Sequence, residues 1–151
     1  PAMVDRLANA TRVRDYMTTQ DYTYHSRQGA GPGWTLVGDA YGFIDPVYSS
    51  GVFLALKSGE FAADAIHEAF EKNDFSANQL GSWLEEHRRG VDVFRKLVYA
   101  FYNPNFSFGR FLKMHPEFRS HVTDILIGDV FKPDFTKCFE TMGDVTPPVP
   151  A

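Results

Sequence analysis

The sequence predicts a mainly α-helical chain with a few short β-strands that belong to a larger α/β sheet than this chain can build. Three observations lead there. Strand-forming residues cluster ahead of Gly51, too few to close a sheet of their own. From Gly51 onward, apolar residues recur with the 3.6-residue period of helices. Hydrophobic residues make up 44% of the 151 positions and charged residues 23%, a globular balance that excludes whole-chain disorder.

The elements follow in order. Residues 2–9 read as a short helix end, with Met3, Val4 and Leu7 on one side. Between Arg12 and Arg27, the strand formers Val13, Tyr16, Tyr22, Thr23 and Tyr24 alternate loosely and predict one or two short strands. Gln28 to Gly33 reads as a turn or loop, because Gly and Pro punctuate chains. Trp34 to Val37 predicts a short buried strand ending at Gly38-Asp39. Gly51 to Phe70 predicts a long helix, with Val52, Ala55, Leu56, Gly59, Ala62, Ala63, Ile66, Ala69 and Phe70 on its buried stripe. Ser76 can cap a second long helix reaching Tyr102, which Asn103-Pro104 stops. A shorter helix is expected around Phe106–Met114. Pro116 suits the first turn of another, running to Ile127 and closed by Gly128. Phe135–Met142 predicts a last short helix.

Charge and cysteine usage exclude several classes. The net charge of -4 argues against a general nucleic-acid or anionic-membrane binder. The single cysteine, Cys138, rules out an intramolecular disulfide framework and a multi-cysteine zinc site, and it fits a reducing compartment. No apolar run is long enough for a transmembrane helix, and Pro1 to Arg6 do not begin a signal peptide. A cytoplasmic location is the expectation.

The chemistry concentrates between Trp34 and Ile66. There a strand ends in Gly38-Asp39, a tight turn follows, Pro46 stiffens a loop, and Ser49-Ser50-Gly51 opens the long helix. The start of a helix carries about half a positive charge and unpaired N–H groups, so it binds an anion or an electron-rich oxygen. Asp39, at a strand end, is positioned to accept hydrogen bonds from a polyol. Other candidates are weaker. His67-Glu68 lacks the second histidine of a zinc-binding helix, since position 71 is Glu. Arg88, Arg89, Arg95 and Lys96 pair with surface acids. Ser49 and Ser50 lack a nucleophile elbow, and Cys138 reads as a small buried hydrophobe. Phe94 to Phe111 is rich in aromatics, and reads either as core or as the lining of an aromatic or prenyl substrate pocket or partner-docking surface.

The string from Gly38-Asp39-Ala40 to Asp45-Pro46-Val47-Tyr48-Ser49-Ser50-Gly51-Val52 resembles FAD-dependent monooxygenase-type flavoproteins. Among them it is most similar to flavin-dependent halogenases of the phenol and pyrrole branch, and next to geranylgeranyl reductase-like oxidoreductases. The resemblance implies roles. Asp39 would hold the ribityl chain of FAD, Gly38 would allow its close approach, and Pro46 would lie along the isoalloxazine. The N–H groups near Gly51 and Val52 would face the flavin N1–C2=O2 edge, and the backbone of Ser50 and Gly51 would bind halide. Tyr48 stands where tryptophan halogenases carry a glutamate, which weighs against a tryptophan substrate and against an acid role at this position. Gly29 to Trp34 fails the dinucleotide fingerprint GxGxxG, and nothing matches the family's upstream lysine or tryptophan-rich signature.

The resemblance therefore implies the C-terminal part of a longer FAD-dependent enzyme, with no metal and no catalytic residue of its own. Residues 1–145 would form one compact unit, with strands and an FAD-contact loop over 1–50 and helices over 51–145. Residues 146–151 would be an extended tail. Alone, this chain is expected to be inactive, to hold no FAD and to self-associate. The whole enzyme would halogenate an electron-rich aromatic, with a flavin reductase or carrier protein as partner. The alternatives are a flavin-dependent isoprenoid reductase and a non-catalytic helical interaction module.

Overall fold

Helices carry most of the described residues. The computed structural model describes residues 2–18, 23–131 and 134–145. The α-helices are α1 Ala2–Leu7, α2 Gly51–Lys72, α3 Ala77–Leu80, α4 Leu84–Tyr102, α5 Phe108–Met114, α6 Arg119–Leu126 and α7 Thr136–Met142. Four two-residue strands, β1 Tyr24–His25, β2 Ala30–Gly31, β3 Trp34–Thr35 and β4 Gly42–Phe43, make two small antiparallel ladders. In one, Tyr24 faces Phe43 and His25 faces Gly42. In the other, Ala30 faces Thr35 and Gly31 faces Trp34. The first ladder needs Gly42, because a Cβ there would come within 2.9 Å of the Tyr24 carbonyl oxygen.

The N-terminal strands differ from expectation. Val13 and Tyr16 lie outside any strand and are exposed, so this stretch yields only β1 among the described residues. The expected loop at Gln28–Gly33 contains β2, paired to β3 across a Pro32-Gly33 turn. The expected buried strand Trp34–Val37 shortens to Trp34–Thr35, and Trp34 and Val37 are 40% and 39% exposed. Asp21, Tyr22 and the 146–151 tail lie outside the described residues.

The helix from Ser76 to Tyr102 is two helices. The Ser76 hydroxyl does cap, accepting from the Gln79 N–H at 3.3 Å. Four residues later the helix breaks. The buried Trp83 indole N–H donates to the Leu80 carbonyl at 3.1 Å, taking the acceptor that a continuous helix would offer Leu84. The Leu84 N–H turns to Gly81 instead, and α4 starts afresh. At its far end, α4 stops at Asn103, held extended ahead of Pro104.

The buried stripe of α2 also differs. Leu54, Ser58, Ala62, Ala65 and Ala69 face inward, while Val52, Leu56 and Phe70 are 74%, 72% and 69% exposed. Apolar residues occur on two faces of this helix, and periodicity alone does not say which face finds a partner. Packing decides it. Leu54 joins the main core, Ala69 meets Ala30 and Leu80, and Ala62 and Ala65 meet Trp83. Small side chains let these neighbours come close.

The main core is built around α4. Phe94, Leu97, Val98 and Ala100 pack with Phe111 of α5, Phe118, Ile125 of α6, and Cys138, Phe139 and Met142 of α7. The aromatic stretch thus divides, with Phe94 and Phe111 in the core and Tyr99, Phe101 and Tyr102 on the surface. Cys138 is fully buried, and burial pushes its thiol pKa up, so it behaves as a small apolar core residue.

Candidate functional site

Two irregular segments, held by regular ones, face the start of α2. The first is a one-turn 3-10 helix, Gly38–Ala40, that follows β3. Gly38 has φ +53, a left-handed conformation that glycine adopts without steric cost. Its N–H donates to the Ser58 hydroxyl at 2.9 Å, and that hydroxyl donates to the Ala55 carbonyl at 2.8 Å. From the other side, three successive carbonyls are held by the β1 segment. The Tyr24 hydroxyl donates to Asp39, the Ser26 hydroxyl to Ala40, and the Ser26 N–H to Tyr41. The backbone of the turn is thereby pinned. The Asp39 side chain is exposed, and its carboxylate has no hydrogen bond or ion pair among the described residues.

The second segment runs from Asp45 to Ser50. Asp45 caps the 3-10 turn Pro46–Tyr48 by accepting from the Val47 N–H at 3.0 Å. The Tyr102 hydroxyl, from the last turn of α4, donates to both Asp45 carboxylate oxygens at 3.1 and 3.2 Å. Ser49 is left-handed, with φ 55, and its N–H donates back to the Pro46 carbonyl. Tyr48 turns toward α4. Its hydroxyl lies 3.4 Å from the Leu97 carbonyl, its ring meets Phe101 edge-on, and burial pushes its pKa up. It is a neutral packing residue.

Ser50 then leads into α2. It is 6% exposed, and its side chain makes no capping bond to the helix. The first-turn N–H groups thus lack the side-chain acceptor that usually satisfies them. A Cβ built on Gly51 meets nothing within 4 Å. A 22-residue helix therefore starts without a side-chain cap, and the side of its first turn at Gly51 is open.

A cavity of about 130 Å³ lies behind these segments, and Gly38, Asp39 and Gly51 share its wall with His87, Asp92 and Arg95. Pro46, Ser50 and Val52 are not part of that wall: Pro46 and Val52 are on the surface and Ser50 is buried. His87 is 4% exposed, and its Nε2 donates to the Leu54 carbonyl at 3.3 Å. Burial pushes its pKa below the ordinary value, with the Leu54 hydrogen bond opposing the shift.

This donor and acceptor set fits a flavin. An unpaired carboxylate suits a polyol chain. An uncapped helix start with open space beside Gly51 suits an electron-rich ring edge or an anion. Residues that the sequence reading missed are those that hold the backbone: Tyr24, Ser26, Asp45, Ser58 and Tyr102. Ser58 stands out only once the structure shows it as the polar member of the buried stripe Leu54, Ala62, Ala65, Ala69. Among the described residues, no cluster of His, Cys, Asp and Glu could hold a metal ion. No helix among them is long and apolar enough to cross a membrane.

The model of the family described as tryptophan halogenase matches residues 10–108. A 1H-pyrrole-2-carbonyl-[peptidyl-carrier protein] chlorinase of Pseudomonas fluorescens is 30% identical over 141 residues, 93% of this chain and 31% of that protein. A 1H-pyrrole-2-carbonyl-[peptidyl-carrier protein] brominase of Pseudoalteromonas luteoviolacea is 32% identical over 131 residues, 87% of this chain and 32% of that protein. The solved structure of the flavin-dependent brominase Bmp2 superposes with a TM-score of 0.68 at 30% identity, over 86% of this chain and 32% of that one. The chain thus spans about a third of the length of the relatives it matches.

Proposed function

The chain belongs to the tryptophan halogenase family of flavin-dependent halogenases, and from that premise we propose that it forms the flavin-facing and halide-facing C-terminal part of an enzyme that halogenates an electron-rich ring. The observation that carries the reading is the uncapped start of α2 at Ser50-Gly51, open to space and set beside a pinned turn with a free Asp39 carboxylate.

In this reading each group has one task. Asp39 accepts hydrogen bonds from the ribityl hydroxyls. Gly38 keeps the backbone close enough for that contact, and Pro46 gives the ring a rigid edge. The N–H groups of Gly51 and Val52 face the electron-rich edge of the ring. Those of Ser50 and Gly51 hold the halide, and the helix dipole adds to both interactions. Bound flavin supplies the two-electron chemistry that, with oxygen, oxidises the halide. Tyr48, half-buried and neutral, acts as neither acid nor base.

The substrate in this reading is a pyrrole-type ring carried on a peptidyl carrier protein. Support comes from the two relatives whose names specify that substrate. A separate reductase supplies reduced flavin. The test gives the complete protein reduced FAD, oxygen and chloride or bromide, with pyrrole-2-carbonyl loaded on a carrier protein and with free phenols. Mass spectrometry of halogenated carrier-bound pyrrole is the expected outcome. Halogenation of free phenols alone moves the substrate class, and saturation of a prenyl alkene without halide dependence selects the isoprenoid reductase.

A further inference from the structure

We propose that Ser58 is a positioning residue for the flavin-contact turn, setting from inside α2 the direction in which Asp39 is presented. The proposal rests on the flavoprotein reading above. Ser58 is 0% exposed and interrupts an otherwise apolar buried stripe. A hydroxyl has one proton and two lone pairs. The proton goes to the Ala55 carbonyl at 2.8 Å, the back-bond that helical serines make to the preceding turn. With its proton committed, the oxygen can only accept, and it accepts the Gly38 N–H at 2.9 Å.

The consequence reaches Asp39 through one peptide unit. Gly38 is left-handed, and a Cβ there would lie 3.3 Å from the Ala55 Cβ, so the turn rests on the helix. The Asp39 carbonyl is held from the opposite side by the Tyr24 hydroxyl. The Gly38–Asp39 segment is thus clamped by α2 at its N–H and by β1 at its carbonyl. The carboxylate is left for the ligand. Removing the Ser58 oxygen leaves the part-buried Gly38 N–H without its acceptor, and the turn shifts off the helix as that N–H seeks another. Asp39 shifts with it.

The test uses the complete protein with four variants: Ser58→Ala, Ser58→Cys, Asp39→Ala and the Ser58→Ala/Asp39→Ala double. FAD is titrated by flavin fluorescence, and amide exchange is followed at Gly38 and along α4. Ser58→Ala should weaken FAD binding about tenfold and speed Gly38 exchange, with α4 protection unchanged. The double variant should bind FAD no more weakly than Asp39→Ala alone, because Ser58 acts through Asp39. Ser58→Cys keeps most of the volume with a poorer acceptor, so it should show the same direction if the alanine variant fails to fold. Wild-type affinity in Ser58→Ala or Ser58→Cys, or additive losses in the double, overturns the proposal and leaves the flavoprotein reading intact. A wild-type protein that binds no FAD overturns that reading and the proposal with it.

Discussion

In the proposed reading Asp39 concentrates the chemistry of the Gly38–Ala40 turn in one side chain, because the Gly38 N–H and the Asp39, Ala40 and Tyr41 carbonyls already have partners. Asp39→Ala in the complete protein removes only the charged acceptor and leaves the clamp. The expected loss is roughly 1.5–3 kcal/mol, about ten- to a hundredfold in FAD affinity by equilibrium titration. Gly51→Val tests the halide separately. A branched side chain has room on the open side of the helix, yet it would stand where an anion must approach. Chloride-dependent product should disappear while reduction of bound flavin by dithionite continues, and retained chloride dependence would contradict the assignment. His87 adds a pH test. Its folded-state pKa lies below the unfolded value near 6.5, so below that pH the unfolded chain takes up more protons. Stability should be level above pH 6.5 with respect to this group and fall as pH drops toward the folded pKa. Urea midpoints should show that His87→Gln flattens this acid slope. The sequence placed Gly38 and Asp39 at a turn and Ser50 and Gly51 at a helix start, as the structure has them, because strand end, turn and helix start are consecutive in the chain. Ser58 and Tyr24 were not legible as site residues, because their partners lie 20 and 15 positions away and nothing local marks them.

Helices reach the site through their ends. The final turn of α4 supplies Tyr102, whose hydroxyl bridges both oxygens of Asp45 and so steadies the turn ahead of Ser49. Tyr102 is 50% exposed, so water competes for this bond. Tyr102→Phe should cost about 0.5–1.5 kcal/mol of stability and speed amide exchange over Val47–Gly51 without loosening the α4 core. Unchanged exchange in that loop would show that the Asp45 cap stands alone. The helix ending before Gly128 was legible because Pro116 opens the turn ahead of it and Gly128 closes it, whereas the Ser107 cap of α5 went unread. The break at Gly81–Trp83 was not, because it depends on where the Trp83 indole N–H finds an acceptor, and the period of the apolar residues continues across it. The face of α2 was misread for a related reason. Both of its apolar faces satisfy the helical period, and only the location of Trp83, Leu80 and Ala30 selects one.

Across the whole chain, the outward face of α2 is the principal consequence of that selection. Val52, Leu56 and Phe70 line one side of a long helix and remain in water. Patches of this kind drive association. Sedimentation of the 151-residue chain at high concentration should show species larger than a monomer, and Leu56→Glu with Phe70→Glu should return it to a monomer. A wild-type chain that stays monomeric would show that the patch is tolerated. The bond between Gly38 and Ser58 also has a temporal side. On the ribosome the turn emerges 20 residues before the hydroxyl that fixes it. At about 5–20 residues per second, the turn waits roughly one to four seconds for its helix. His87, which holds the first turn of α2 through Leu54, emerges later still. The contacts that fix the turn and the first turn of α2 therefore close only after α4 has been made.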